Sequence, residues 1–379
     1  MKKLLLLFIT TTFLFWGCEN AIEPIQTDSD STYTCDSLHI VKTENILSSV
    51  FVINEGGFNQ NNSSVSKYVT KEILFYNRNS EIDSIAESFT LLHDIFYNAN
   101  SSSLGDTGND LVIKEDKGYI ALTGSNKIEV VNIDDFKTTG IIDFTAFGGP
   151  RKIAFSDAYG YATTSNSMVV KFDPLTFAVL DTITVAFKPE GIVSVAGKLF
   201  VAISGWGTGN TVAVIDEATF KQINEITVKI NPTNIINKGY DIFVISTGTY
   251  IFSGGDGMGM LTKIDALTMA ITDTLQIENN PGRFAIGNDK ELFVINGNGI
   301  VHISGKDMSI VNPILISAAT VNNIYSSIYS VGYDSDAELL YLGNPKDFSQ
   351  NGDVAIFDLN GNEKGRFDVG INPGTIVFK

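Results

Sequence analysis

Residues 50–379 read as an all-β chain built from repeated four-stranded units, on three observations. First, residues 189–230 split into four runs, EGIVSVA, KLFVAIS, NTVAVIDEAT and KQINEITVKI. Each is rich in β-branched or aromatic residues and bounded by Gly, Asn, Asp or Pro. No window there has the three-to-four spacing of an amphipathic helix.

Second, the unit recurs. A proline opens a first strand at Pro150, Pro189, Pro232, Pro281 and Pro373, and an aspartate ends a third strand at Asp134, Asp173, Asp216, Asp265 and Asp358. Successive aspartates lie 39, 43, 49 and 93 residues apart, and the last gap encloses a degenerate copy, GIVHISGKD. Third, second strands recur near Val50, Gly118, Tyr159, Leu199, Ile242, Leu292 and Leu339, so the copies number seven. A four-stranded repeat of about 40–45 residues is a β-propeller blade. One blade cannot bury both of its faces, so the blades must stack and the ring must close. The expected fold is a seven-bladed β-propeller.

In chain order, Lys2 and Lys3 precede an apolar run from Leu4 to Trp16. At 13 residues it falls short of the roughly 20 needed to span a bilayer, and residues 1–17 read as a secretory signal. Gly17-Cys18 resembles a bacterial lipobox, which makes Cys18 the expected lipidation site and the outer membrane the expected location; plain secretion is the alternative. Residues 18–49 are acidic, polar and poor in aromatics, and read as a tether. Glu19 and Glu23 resemble the surface-export signal of Bacteroidetes lipoproteins. Cys35 is the one other cysteine, so no disulfide framework is expected.

The propeller opens on VFVINEGGFNQNN, a second strand and its loop, whereas PGTIVFK at residues 373–379 is a first strand with no successors. The C-terminal strand is therefore expected to complete the N-terminal blade and leave no open sheet edge. Period-2 alternation is weak in the strands because a blade packed on both faces needs apolar side chains on both.

Charge excludes one class of partner. The chain has 26 Lys+Arg against 43 Asp+Glu, a formal net charge of −17; without residues 1–17, 24 basic residues face the same 43 acidic ones. Such a chain repels phosphate backbones, so nucleic acid is excluded, and membrane contact is expected through the lipid alone.

Function is expected on loops. The long connections between second and third strands, at 55–64, 204–210, 246–260 and 343–353, share one face with the blade-to-blade crossing 89–110, and the opposite face has minimal turns. Phe58, Tyr97, Trp206, Tyr250, Phe252 and Phe348 stand in those segments among Asn, Ser and Gly, a mixture suited to a sizeable ligand; each is alternatively a loop anchor. Asn109, Arg151, Glu190, Asn234 and Arg283, where first strands begin, form either a polar ring for ligand amides and carbonyls or a solvated pore. No catalytic residue, metal site or cofactor is expected. His39, His93 and His302 lack metal-type spacing, and SGGDGMGM leads into a strand rather than the helix a phosphate loop requires.

FVINEG, SLGDTGNDLVI, TGSNKIEVVNI, PEGI with KLFVA, NTVAVID and NPGTIVF together resemble the YncE-like propellers. Within that group they are most similar to BtuG-type cobalamin-capture lipoproteins of Bacteroidetes. The resemblance covers nearly all of residues 50–379 and implies a non-enzymatic binder of cobalamin or another corrinoid, working beside a TonB-dependent outer-membrane transporter. A cell-surface protein or glycan module, and a metal-dependent lactonase or lyase using Glu190, Asn234 and Asn109, are the other readings of the same face.

Overall fold

The computed structural model describes residues 42–76 and 82–379; the expected leader, Cys18 and the tether through residue 41 lie outside it. Seven four-stranded antiparallel sheets form a β-propeller. Blades 2 to 5 span residues 108–143, 150–184, 189–227 and 232–277; blades 6 and 7 span 284–317 and 330–371. Blade 1 joins Lys42–Asn54, Ser64–Tyr76 and Ile82–Leu92 to the C-terminal strand Pro373–Phe378, which pairs along Val50–Asn54.

The weak alternation now has its cause. Second strands such as Lys198–Ile203 and Asp241–Ser246 are buried on both faces, because successive blades sandwich them. One core cluster joins Phe51 and Ile53 of blade 1 to Leu111 and Ile120 of blade 2, and corresponding clusters join the following blades. Outer strands do alternate: Lys221–Thr227 is exposed except for Ile226 and the partly covered Asn224.

Three sequence expectations need correction. The strand assigned to start at Val50 begins at Lys42, because Lys42–Ser49 pairs with Val69–Tyr76 and so belongs to blade 1 rather than to the tether. At about 3.3 Å per residue this hairpin runs roughly 23 Å past the C-terminal strand, on the short-turn side.

The marker in blade 2 is Asn132 rather than Asp134, since the third strand ends at Asn132. The Asn132 side chain accepts from the amides of Asp134 and Asp135, just as Asp173 accepts from Leu175 and Thr176 and Asp265 from Leu267 and Thr268. Each turn then places an apolar residue at positive φ (Phe136, Phe177, Phe220, Met269), and Phe136 and Phe220 are buried there.

The crossing 89–110 is not one loop on the long-loop face. Phe89–Leu92 finish an outer strand, and Ile95–Asn100 form a short helix that buries Ile95 and Phe96. Asn100 donates to Phe136 O at 2.9 Å and accepts from Thr138 N, in the third-to-fourth-strand turn of blade 2. That turn is on the short-turn face, so the helix descends the flank between blades 1 and 2.

Candidate ligand site at the channel mouth

Each first strand runs from the long-loop face down the axis. Its opening residues therefore meet at the mouth of the channel, which encloses about 430 Å³ and takes lining from all seven blades. Asn109, Arg151, Glu190, Asn234 and Arg283 all line this one cavity.

Their charges are internally matched. Arg151 Nε and Nη2 each lie 2.7 Å from Glu190 Oε2, joining blades 3 and 4. Lys152 Nζ donates to Asn109 O at 2.6 Å and lies 3.4 Å from Asp110 Oδ1, whose other oxygen accepts from Ile153 N at 2.9 Å. Arg283 donates from Nη1 to Tyr329 O at 3.0 Å and to Gly374 O at 2.7 Å, and from Nη2 to Glu55 Oε1 at 3.1 Å. The other Glu55 oxygen accepts from Tyr329 Oη at 2.7 Å, and the Arg283 guanidinium lies 4.7 Å from the Tyr329 ring centre. Burial alone would lower the Arg283 pKa, but the Glu55 carboxylate and Tyr329 outweigh it and raise the value. Burial followed by the Glu55 charge also raises Tyr329, holding its hydroxyl protonated as a donor.

In a strongly acidic protein the mouth thus carries three cations, Arg151, Lys152 and Arg283, against three carboxylates, Glu190, Asp110 and Glu55, with no excess of either sign. What remains open is neutral hydrogen-bonding capacity. The Asn109 amide is nine-tenths buried, and neither it nor the Asn234 amide has a side-chain hydrogen bond among the described residues.

Around the mouth, second-to-third-strand loops of four blades carry the predicted aromatics. Phe58, Trp206 and Phe252 are 78%, 66% and 86% exposed, so none of them is buried beneath its own turn. Tyr250 is half-buried and stacks on Phe252 with centroids 4.9 Å apart. Phe348 meets Tyr329 edge-on at 5.9 Å. Tyr97 is not part of this group: it rides the flank helix, and its exposure there belongs to the side of the ring. His302 stacks on Phe293 within its blade, as expected of a packed strand residue.

Sequence reasoning missed Glu55, Tyr329, Phe187, Lys188, Ile324 and Tyr325. Glu55 stands in the quoted NEG motif, yet its partner Arg283 is five blades away along the chain. Ile324 and Tyr325, 72% and 56% exposed, follow a one-turn helix, Ala318–Val321, in the crossing between blades 6 and 7.

No family model and no curated protein matches the chain. Solved structures do. A Kuenenia stuttgartiensis hydrazine synthase chain aligns with TM-score 0.56 at 16% identity, over 68% of this chain and 85% of its own. U3-55K aligns at 0.53 and 11%, and the WD40 repeats of RRP9 at 0.52 and 12%, each over 69% of this chain and 80% of the other. At these identities the likeness is one of fold. Enzyme-derived and WD40 chains share the scaffold, so function has to be argued from the site.

Proposed function

We propose that this protein is a non-enzymatic binding protein that captures a sizeable, largely uncharged ligand on its long-loop face, and that the ligand is cobalamin or another corrinoid. The observation that carries the reading is the pairing of a charge-balanced polar mouth with exposed aromatics on the surrounding loops. A large amphipathic ring with amide arms needs flat apolar contact for its body and neutral donors and acceptors for its periphery. Phe58, Trp206 and Phe252 supply the first, and Asn109 and Asn234 the second. The motif resemblance to BtuG-type lipoproteins points to the same ligand class.

The same reading makes Cys18 the membrane anchor, places the propeller at the outer-membrane surface, and has the ligand passed to a TonB-dependent transporter. The blade 1 hairpin, with Leu47, Ile85 and Phe89 at 65%, 53% and 68% exposure, offers apolar surface for such a partner. Binding is favoured over catalysis because Glu190, Asp110 and Glu55, the carboxylates at the mouth, are held by Arg151, Lys152 and Arg283. A catalytic cation would have to displace a positively charged side chain from each.

Calorimetry against cyanocobalamin and cobinamide tests the reading. Saturable binding at one ligand per chain is expected for at least one of them; no heat from either at tens of micromolar protein would overturn the corrinoid assignment.

A further inference from the structure

Blade 4 departs from its own repeat at one position. The residue before the first-strand proline is left-handed in four blades, at Lys188, Asn231, Asn280 and Asn372 with φ of 57°, 64°, 50° and 54°. Asparagine tolerates this conformation, whereas lysine adopts it at a steric cost. Two of the asparagines, Asn280 and Asn372, tie loops together. Asn280 Nδ2 donates to Thr247 O and Thr249 O of the preceding blade, and Asn372 Nδ2 to Gly56 O. Lys188 keeps that tie, donating from Nζ to Ser165 O of the preceding blade at 2.6 Å, and adds a positive charge.

The charge is placed against aromatic rings. Lys188 Nζ lies 4.2 Å from the Trp206 ring centre and 5.2 Å from that of Phe187, and the two rings meet edge-on at 6.2 Å. Phe187 and Trp206 are 56% and 66% exposed. Lys188 has no carboxylate within ion-pair reach among the described residues, unlike Arg151, Lys152 and Arg283. The crossing 228–231 is fastened to the Trp206 loop by Val228 N to Asn210 O and Asn231 N to Gly209 O.

We propose that Phe187, Lys188 and Trp206 form a subsite for an anionic group, a phosphate in particular, attached to a flat unsaturated ring. The ring stacks on the exposed Trp206 face while the anion sits at the Lys188 ammonium. An ammonium is an effective point charge for phosphate, and the cation already held against the indole lowers the cost of bringing an anion to an acidic protein's surface. The subsite rests on the long-loop face being the ligand face, and it deepens that reading by naming the chemistry of one corner.

The test uses the full chain carrying Trp16→Phe, which leaves Trp206 as its one tryptophan, so that intrinsic emission reports this corner. Phenyl phosphate is expected to change that emission along a saturable curve that weakens with added salt; phenol and inorganic phosphate, each lacking one half of the recognised group, are expected to bind more weakly. Lys188→Asn restores the repeat's own residue. It is expected to keep the melting temperature within about 2 °C while weakening phenyl phosphate by roughly tenfold. Equal binding of phenol and phenyl phosphate, no saturation with phenyl phosphate, or an unchanged affinity in Lys188→Asn each overturns the subsite. Cyanocobalamin run on the same two proteins separates the two ideas: binding that ignores Lys188→Asn sinks the subsite alone, and phenyl phosphate binding without cyanocobalamin binding sinks the corrinoid assignment alone.

Discussion

Arg283 and Glu55 are 228 residues apart in sequence and 3.1 Å apart in space. The bond joins the opening of blade 6 to the end of a blade 1 strand, and Arg283 Nη1 adds Gly374 O from the closing strand and Tyr329 O from the edge of blade 7. A Cβ at Gly374 would run into the Glu55 carboxylate and displace it from Arg283. One guanidinium thus spans the seam where the first and last strands of the ring meet.

Removing that guanidinium leaves Glu55 at the mouth with only Tyr329 to satisfy it. Arg283→Met should destabilise the protein by about 2–3 kcal/mol, and Glu55→Gln in the same chain should recover part of the loss. Thermal unfolding of the two single variants and the double variant checks this, and additive losses would show that the pair is not coupled.

Ring closure rests on more than the Arg283–Glu55 bond. Pro373–Phe378 buries Ile376 and Phe378 against the cluster of Val50, Val52 and Tyr341, and Ser330 Oγ donates to Pro373 O at 2.6 Å. Deleting residues 373–379 should give a protein that aggregates or melts many degrees lower, since at about 25 cal/mol per Å² the lost burial is worth several kcal/mol. An unchanged melting temperature would mean that the blade does not depend on its fourth strand.

Much of this architecture was legible in the sequence because it rests on local chemistry repeated seven times. Prolines and turn carboxylates mark strand ends, and a strand buried on both faces must be apolar throughout. The five first-strand residues were found at the channel for the same reason, as position in the repeat fixes position on the axis. What stayed hidden depends on contacts between distant blades or on details inside a crossing. Glu55 has no local cue for Arg283. Tyr97 was assigned to the long-loop face by the crossing's length, but Ile95 and Phe96 pull that crossing down the flank to find apolar cover. Asp134 imitated the repeat marker because Asn132, which makes the same turn contacts, is not an aspartate.

Those turn carboxylates set the acid limit of stability. Backbone amides of Leu175 and Thr176 hold Asp173 below its usual range, and the Thr219 hydroxyl and amide do the same for Asp216. A carboxyl depressed in the folded state contributes stability that is complete above its unfolded value near 4 and drains as pH falls through the lower folded value. Denaturant midpoints should therefore be flat down to about pH 4 and fall below it, with Asp216→Asn showing a shallower decline.

At the alkaline end the sign reverses. Burial pushes Tyr119 and Tyr161 up to about 12, so the folded state keeps protons that the unfolded state releases near 10. Their contribution is complete below about pH 10 and is lost as pH climbs toward 12. Tyrosinate absorbance from these two residues should appear together with loss of β-sheet circular dichroism; if it appears while the sheet signal holds, these hydroxyls are not protected by the fold.

The binding face can be separated from the rest of the ring by substitution. Interface energy concentrates in a few large aromatics, so among Phe58→Ala, Trp206→Ala and Phe252→Ala at least one should weaken ligand capture by more than about 1 kcal/mol. Tyr97→Ala, on the flank helix, and Lys198→Ala, in a short turn at the other end of the channel, should leave affinity within error. Tyr97 is the sharper control, because it is also an exposed aromatic but stands on the flank, where the crossing carries it. Calorimetry with cyanocobalamin decides between the faces: loss of capture in Tyr97→Ala or Lys198→Ala, with the three loop variants unaffected, would move the site off the channel mouth and leave the charge-balanced cavity as scaffold alone.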